Sequence, residues 1–494
     1  MSARTPFAWI AGCLGVAVVV GLTGCTSESD VSRMSYPQTP EDSMPYGQEE
    51  YDRSAESPFV DAATTPLSTF SADVDTASYS NMRRQVRMGM KPDGVRVEEL
   101  VNYFDYSYLA PDRDAAHPFS VTTEVAAAPW NSEHQLAMIG VQATRAVPTT
   151  AGNNIVFLID VSGSMEAADK LPLLKDSFGL LVDKLGPQDV VSIVTYAGSD
   201  TIAADSVRGS DHARLKAILK DLTAGGSTAG AKGLTTAYTL ATNNFITGGN
   251  NRVILATDGD FNVGQSSDEA MLELIEEKRA SGVYISVLGF GMGNLKDRKM
   301  ETIADHGNGN YAYIDTLNEA KKVLVDEFDS TMFVVAQDLK LQVEFNADVV
   351  SQYRLIGYDN RRLDDEDFAD DTKDAGDVGA GHSVTAFYEI IPVSATTSGD
   401  YMTVSVRYKK PGQTESALTT TKVTSAAWTT TPSEDFAFAS AVVEFGLVAS
   451  DSQYAGNATA RHAAQQAKGA LGDDPYNLRS EFVELVGLYT EIVG

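Results

Sequence analysis

From residue 153 to about 333 the chain alternates short apolar runs with longer stretches of helical period. The runs Ile155–Asp160, Val190–Tyr196, Arg252–Thr257, Val283–Leu288 and Asn310–Ile314 predict strands. Those around Ile155, Val253 and Val283 are almost wholly apolar, as strands are when helices cover both of their faces. Between and after them, Ala167–Leu185, His212–Leu222, Ala229–Phe245, Ser267–Ser281, Lys296–His306 and Leu317–Met332 predict helices. Such alternation gives an α/β domain with a doubly wound, mainly parallel sheet.

The flanks follow a different period. Val121, Thr123 and Val125 alternate, Pro129-Trp130-Asn131 turns the chain, and Leu136, Met138, Gly140 and Val141 continue it. After 335, Leu339, Leu341, Val343 and Phe345 alternate strictly, and Val384–Ile391, Tyr401–Tyr408 and a weaker run at Ala417–Val423 follow. These flanks, about 117–147 and 335–427, are each short for a separate domain. They are expected to pair into one β-sandwich, with the α/β domain inserted between them. Helix 317–333 would lead from that domain into the sandwich. Upstream, Thr69–Tyr79 predicts a short strand and a polar turn into a helix carrying Met82, Val86 and Met88, and Val97–Phe104 a second short helix. The very acidic stretch Asp364–Asp377 predicts a loop. The end is helical. Thr431-Pro432-Ser433-Glu434 has the form of a capping box, and Asp474-Pro475 opens a last helix with Leu478, Phe482, Leu485 and Tyr489 on one side.

The N-terminus carries one early basic residue, Arg4, then an apolar stretch from Phe7 to Val20. That is the form of a secretory signal. Its end, Leu22-Thr23-Gly24-Cys25, resembles the bacterial lipobox, which implies that Cys25 is the lipidated first residue of an exported, membrane-tethered protein. Thr26 stands where many inner-membrane lipoproteins have Asp, so the resemblance favours the outer membrane where there is one. The organisation expected is a signal peptide at 1–24, a disordered tether at 25–65, helices then strands at 66–150, and the α/β domain at 151–334. A β-rich domain at 335–430 and a helical segment at 431–494 complete it. Cys13 and Cys25 are the chain's two cysteines, so the body beyond the tether has no disulfide, cysteine metal site or thiol nucleophile.

With 38 basic against 68 acidic residues, the formal charge is −30. Such a surface repels nucleic acid and anionic lipid, because both are bound through Lys and Arg.

The chemistry concentrates in three loops, each at the carboxyl end of a predicted strand or just before a predicted helix, where doubly wound sheets bind ligands. One carries Asp160, Ser162 and Ser164, the second is Ala224–Gly230 with Thr228, and the third carries Asp258 within Thr257-Asp258-Gly259. Two carboxylates and three hydroxyls are all oxygen donors, which suits a hard divalent cation: Mg2+ foremost, with Ca2+ or Mn2+ as alternatives. With few charged ligands the cation stays electrophilic, so an outside carboxylate can displace a water and bind. Each residue singly could be a helix cap or a turn. The glycine-rich loop fails as a phosphate loop, since Ala231 precedes Lys232 and Gly233 follows it. The acidic run at 364–371 lacks the spacing of an EF-hand loop.

In this order the five residues resemble the metal-ion-dependent adhesion site (MIDAS) of the von Willebrand factor A domain, Asp-x-Ser-x-Ser … Thr … Asp. The resemblance implies a Rossmann-like fold over about 180 residues, serines touching the metal directly and carboxylates acting through water. The segments Ser68–Tyr108, Tyr353–Tyr358 and Asp374–His382 look like those of bacterial lipoproteins with a central A domain, a group sometimes labelled calcium-activated chloride-channel-like. No segment of this chain suits a pore. No Gly-x-Ser-x-Gly elbow or His-Glu-x-x-His motif occurs, and the six histidines are scattered. The expected function is therefore non-enzymatic: metal-dependent capture of a protein or other carboxylate-bearing ligand at the cell envelope, with no nucleotide or nucleic acid. The alternative is an envelope assembly factor or regulator that uses the A domain as an interaction scaffold.

Overall fold

A computed structural model of the chain describes residues 49–51, 55–72, 75–112, 115–145, 151–226, 230–259, 261, 268–293, 295–394 and 399–494. The expected signal peptide, Cys25 and most of the expected tether lie outside the described residues.

The central sheet has six strands in the order Tyr311–Ile314, Tyr284–Phe290, Asn250–Thr257, Asn153–Asp160, Val190–Ala197, Ser199–Arg208. The first five are parallel and the last is antiparallel to its neighbour. Successive residues of Asn153–Asp160 point to opposite faces, and both faces are covered. Ile155, Phe157 and Ile159 pack against helices Leu171–Lys184 and His212–Asp221 and the segment 317–332. Val156 and Leu158 pack against Gly230–Asn243, Asp268–Ala280 and Asp297–His306. All eight residues of the strand are buried, which is why its centre, Ile155–Ile159, reads as a continuous apolar run. The strand Ser199–Arg208 carries no periodic signal in the sequence. It is an edge strand folded back at Gly198 (φ +71°), exposed at most positions, so it lacks the apolar alternation that marks a covered strand.

The strands of the two flanks do pair. Gln135–Gln142 lies antiparallel to Ser383–Ile390, within a sheet ordered 60–61, 350–356, 383–392, 131–143, 119–128. A second antiparallel sheet, ordered 362–363, 67–71, 334–345, 400–409, 416–424, packs against it. Val125, Ile139 and Val141 from one sheet meet Leu341, Val343, Val404 and Val406 from the other, and Phe345 stacks on Tyr353 at 3.9 Å. The outer face of the first sheet, with Leu136, Met138 and Phe387, is covered by helices Ala77–Arg87, Val97–Asn102, Glu434–Ala449, Ala460–Gly469 and Leu478–Val493. One strand thus serves two cores through its two-residue period.

Four expectations are corrected, the last being the single helix at Leu317–Met332. The structureless tether does not reach residue 65: from 49 on, the described residues are seated on the body. Val60–Asp61 pairs with Tyr353 and Gln352, Ser57 donates twice to Asp359 at 2.8 Å, and Glu49 accepts from Arg84 at 3.0 Å. These partners are distant in sequence, so local composition does not reveal them. The acidic stretch is no free loop either. It contains a 3-10 turn at Asp365–Phe368 and a strand at Gly376–Gly379, and its acids are engaged: Thr69 Oγ1 donates to Asp365 at 2.8 Å and Arg407 pairs with Asp371 at 3.0 Å. The C-terminal helix cap is Ser433 rather than Thr431. Ser433 Oγ accepts from Phe436 N–H at 3.1 Å, while its own N–H and O–H are held by Glu124 of the sandwich.

Segment 317–332 is broken. It is α-helical at Leu317–Lys321 and Phe328–Met332, with a π-helical turn at Lys322–Asp326 between them. Here the A-like domain meets the helices. Arg83 reaches from the helix Ala77–Arg87 to Asp315 and Glu319, and also contacts Glu481 of the last helix. A second junction pairs Arg96 with Asp297 and Arg361 with Glu301 and Asp305.

Candidate functional site

The strand Asn153–Asp160 lies between Val190–Ala197, which follows it in sequence, and Asn250–Thr257, which comes after a crossover to its other side. The order reverses there, and the crevice at the carboxyl ends of such strands is where open α/β sheets bind ligands. Asp160 ends the strand and Asp258 follows the next one. Both are fully buried.

Asp160 Oδ1 accepts the Ser162 N–H at 2.8 Å, which folds the loop back over the strand end. Thr257 Oγ1 donates to Asp160 Oδ2 at a long 3.4 Å. The Tyr196 hydroxyl faces Asp160 and Thr257 and has no partner at hydrogen-bonding geometry among the described residues. Ser162 then leads into a 3-10 turn, Gly163–Glu166, its carbonyl accepting from Met165 N–H at 3.0 Å, and Met165 is buried in the sheet's helix-covered core. The anchoring of Met165 places Ser162 and Ser164 side by side, their hydroxyls 3.0 Å apart, with Ser164 exposed. The glycine loop is drawn against this turn. Gly225 N–H donates to Val161 O at 2.8 Å, and Gly163 N–H to Gly226 O at 3.1 Å. Gly226 has φ +86°, where a side chain would be strained. Thr228 lies outside the described residues.

Burial pushes the Asp160 carboxyl up to about 6, and the nearby Asp258 charge adds to this, against the lowering effect of the Ser162 bonds. An ionised carboxylate sits in this pocket at a cost, and a cation would relieve it. Among the described residues there is no group of three or more His, Cys, Asp or Glu that could hold a metal ion. The donor set of buried carboxylates and neighbouring hydroxyls fits a hard divalent ion.

One member of the site carries no sequence signal. Lys170, 4% exposed, places Nζ 2.8 Å from Asp258 Oδ2. It stands ten positions after Asp160 at the start of a helix, in no motif, and nothing local distinguishes it from a surface lysine.

The comparisons with known proteins agree with this architecture. Residues 154–326 match the family model of the von Willebrand factor type A domain, and 45–138 match one described as von Willebrand factor. Residues 330–492 match the model described as uncharacterized protein YfbK, C-terminal. Over 468 residues the chain is 40% identical to the uncharacterized protein YfbK of Escherichia coli (strain K12), covering 90% of this chain and 81% of that one. The chain belongs to the YfbK family. Its likeness to solved structures is looser. A von Willebrand factor type A protein from Catenulispora acidiphila is 18% identical, with TM-score 0.44 over 75% of this chain and 91% of that one. The ArnB paralog VWA2 from Sulfolobus acidocaldarius is 14% identical, with TM-score 0.37 over 76% and 98%. For this YfbK-family chain the A domain is shown, and such domains commonly bind a divalent cation and mediate protein interactions. Asp160, Ser162, Ser164 and Asp258 stand at the strand ends where that cation would be held. A bound cation would supply an electrophilic centre for a ligand carboxylate, while the chain's own loops orient the donors and bury the two anions.

Proposed function

We propose that this protein is a non-enzymatic binding protein of the cell envelope. It captures a carboxylate-bearing protein ligand through a divalent cation, most simply Mg2+, held by Asp160, Ser162, Ser164, Thr228 and Asp258. The observation that carries the reading is the fully buried Asp160 carboxylate at the end of the central strand, beside Asp258 and below the paired Ser162 and Ser164 hydroxyls. Calorimetric titration of the chelator-treated protein with Mg2+ and Mn2+ is expected to show one site. Crosslinking in intact cells is expected to trap a protein ligand that chelator releases. A titration without heat or spectroscopic change for either ion would end the metal-dependent reading.

Anchoring through Cys25 belongs to the same proposal and is supported by the sequence Leu22-Thr23-Gly24-Cys25 after an apolar stretch. Metabolic labelling with a fatty acid is expected to mark the wild-type protein and not Cys25→Ser. Equal labelling of both would refute lipidation at that residue.

A further inference from the structure

The site contains a cation of its own. The Lys170 ammonium lies against Asp258, the one 4% and the other 0% exposed. Its seat is built from two sides. Lys170 N–H is bonded to Ala167 O at 3.0 Å and its carbonyl accepts from Leu174 N–H at 2.8 Å, so the backbone is fixed at the start of the helix Leu171–Lys184. The aliphatic stem crosses Gly291 at the end of the strand Tyr284–Phe290. A side-chain carbon at Gly291 would fall 2.1 Å from Lys170 Cγ and 2.4 Å from Cε. Gly291 has φ +72°, and its carbonyl is held by the Tyr313 hydroxyl at 2.9 Å. A glycine in a side-chain-intolerant conformation therefore makes the channel through which the lysine reaches the aspartate.

We propose that Lys170 is a built-in counter-cation that sets the properties of the metal site: by pairing with Asp258 it weakens metal binding and leaves a bound metal short of negative charge. This rests on the metal reading above. The charges argue for it. A divalent ion with Asp160 and Asp258 is neutral, whereas the same group with Lys170 carries one net positive charge. One ligand carboxylate then restores neutrality. Lys170 thus exchanges resting metal affinity for a preference for an anionic partner. Even through an effective dielectric of about 20, a unit charge beside a divalent ion changes affinity by more than tenfold.

The test is titration with Mn2+ alone, followed by calorimetry and by the Mn2+ paramagnetic signal, on the wild type, Lys170→Met, Lys170→Arg and Asp160→Asn, each checked for folding by circular dichroism. Lys170→Met is expected to bind Mn2+ at least about tenfold more tightly than the wild type, and Lys170→Arg within about threefold of it. If Lys170→Met binds equally or more weakly while Asp160→Asn abolishes binding, the counter-cation role is overturned and the metal site stands. If neither the wild type nor Lys170→Met binds, both readings fall. Should Lys170→Met not fold, Lys170→Gln is judged by the same criteria.

Discussion

Asp160→Asn is expected to abolish measurable Mg2+ and Mn2+ binding and, in chelator, to make the fold more stable at pH 8 by about 1–3 kcal/mol. The two effects share one cause. Asparagine keeps the shape of the side chain and an oxygen to accept the Ser162 N–H, but it carries no charge. In the wild type, burial first and the Asp258 charge second raise the Asp160 carboxyl to about 6. The native state therefore holds a proton that the unfolded chain has released, between the ordinary value of 3.8 and about 6. Wild-type stability falls as pH rises through that window and stays reduced above it. The asparagine variant does not titrate there, so the gap between the two proteins should be full at pH 8 and close below pH 4. Urea unfolding at both pH values measures it. Equal stability at pH 8 would mean that the carboxylate is no burden and that the pocket is not organised for a cation.

Replacing Arg83 with methionine is expected to lower stability by about 3–5 kcal/mol, the range for removing one partner of a buried ion pair. Arg83 Nε donates to Asp315 Oδ2 at 2.8 Å, Nη1 to the Tyr103 hydroxyl at 2.9 Å, and Nη2 to Glu319 Oε2 at 2.7 Å. Its side chain is 3% exposed and that of Glu319 1%. Burial pushes the Glu319 carboxyl up, but the Arg83 and Lys322 charges outweigh this and hold it below its ordinary value of 4.5. Glu319 therefore contributes stability that is present above that value and lost as pH falls below it. Without Arg83, Asp315 and Glu319 would be left in a buried site with much of their compensation gone. The double variant Arg83→Met/Glu319→Gln should recover about 1–2 kcal/mol, since it removes one stranded charge. Chemical denaturation at pH 7 measures both. A cost near zero for Arg83→Met would show that this junction does not couple the A domain to the helices.

The junctions also show where sequence reading stops. The covered strands of the A domain were legible because burial on both faces leaves a long apolar run, and the oxygen donors Asp160, Ser162, Ser164 and Asp258 because a fixed spacing at a strand end brings such side chains close together. Pairing of the two β-rich flanks was legible from the interruption of one periodicity by another. The edge strand Ser199–Arg208 was not, since solvent on one side removes the apolar constraint. Nor was the seating of residues 49–51 and 55–65, whose partners Asp359, Arg84 and Tyr353 come from elsewhere in the chain.

By itself, the sequence determined the class of the fold, the insertion of the A domain between the halves of a sandwich, and four described oxygen-donor residues at strand ends. All of these follow from local period and spacing, which an unfolded chain already carries. Only the tertiary structure decided that Lys170 lies on Asp258 and that Arg83 joins three segments. It also decided that the segment leaving the A domain is broken at Lys322–Asp326. A buried charge is defined by its partner, and the partner's position exists only once the chain has folded.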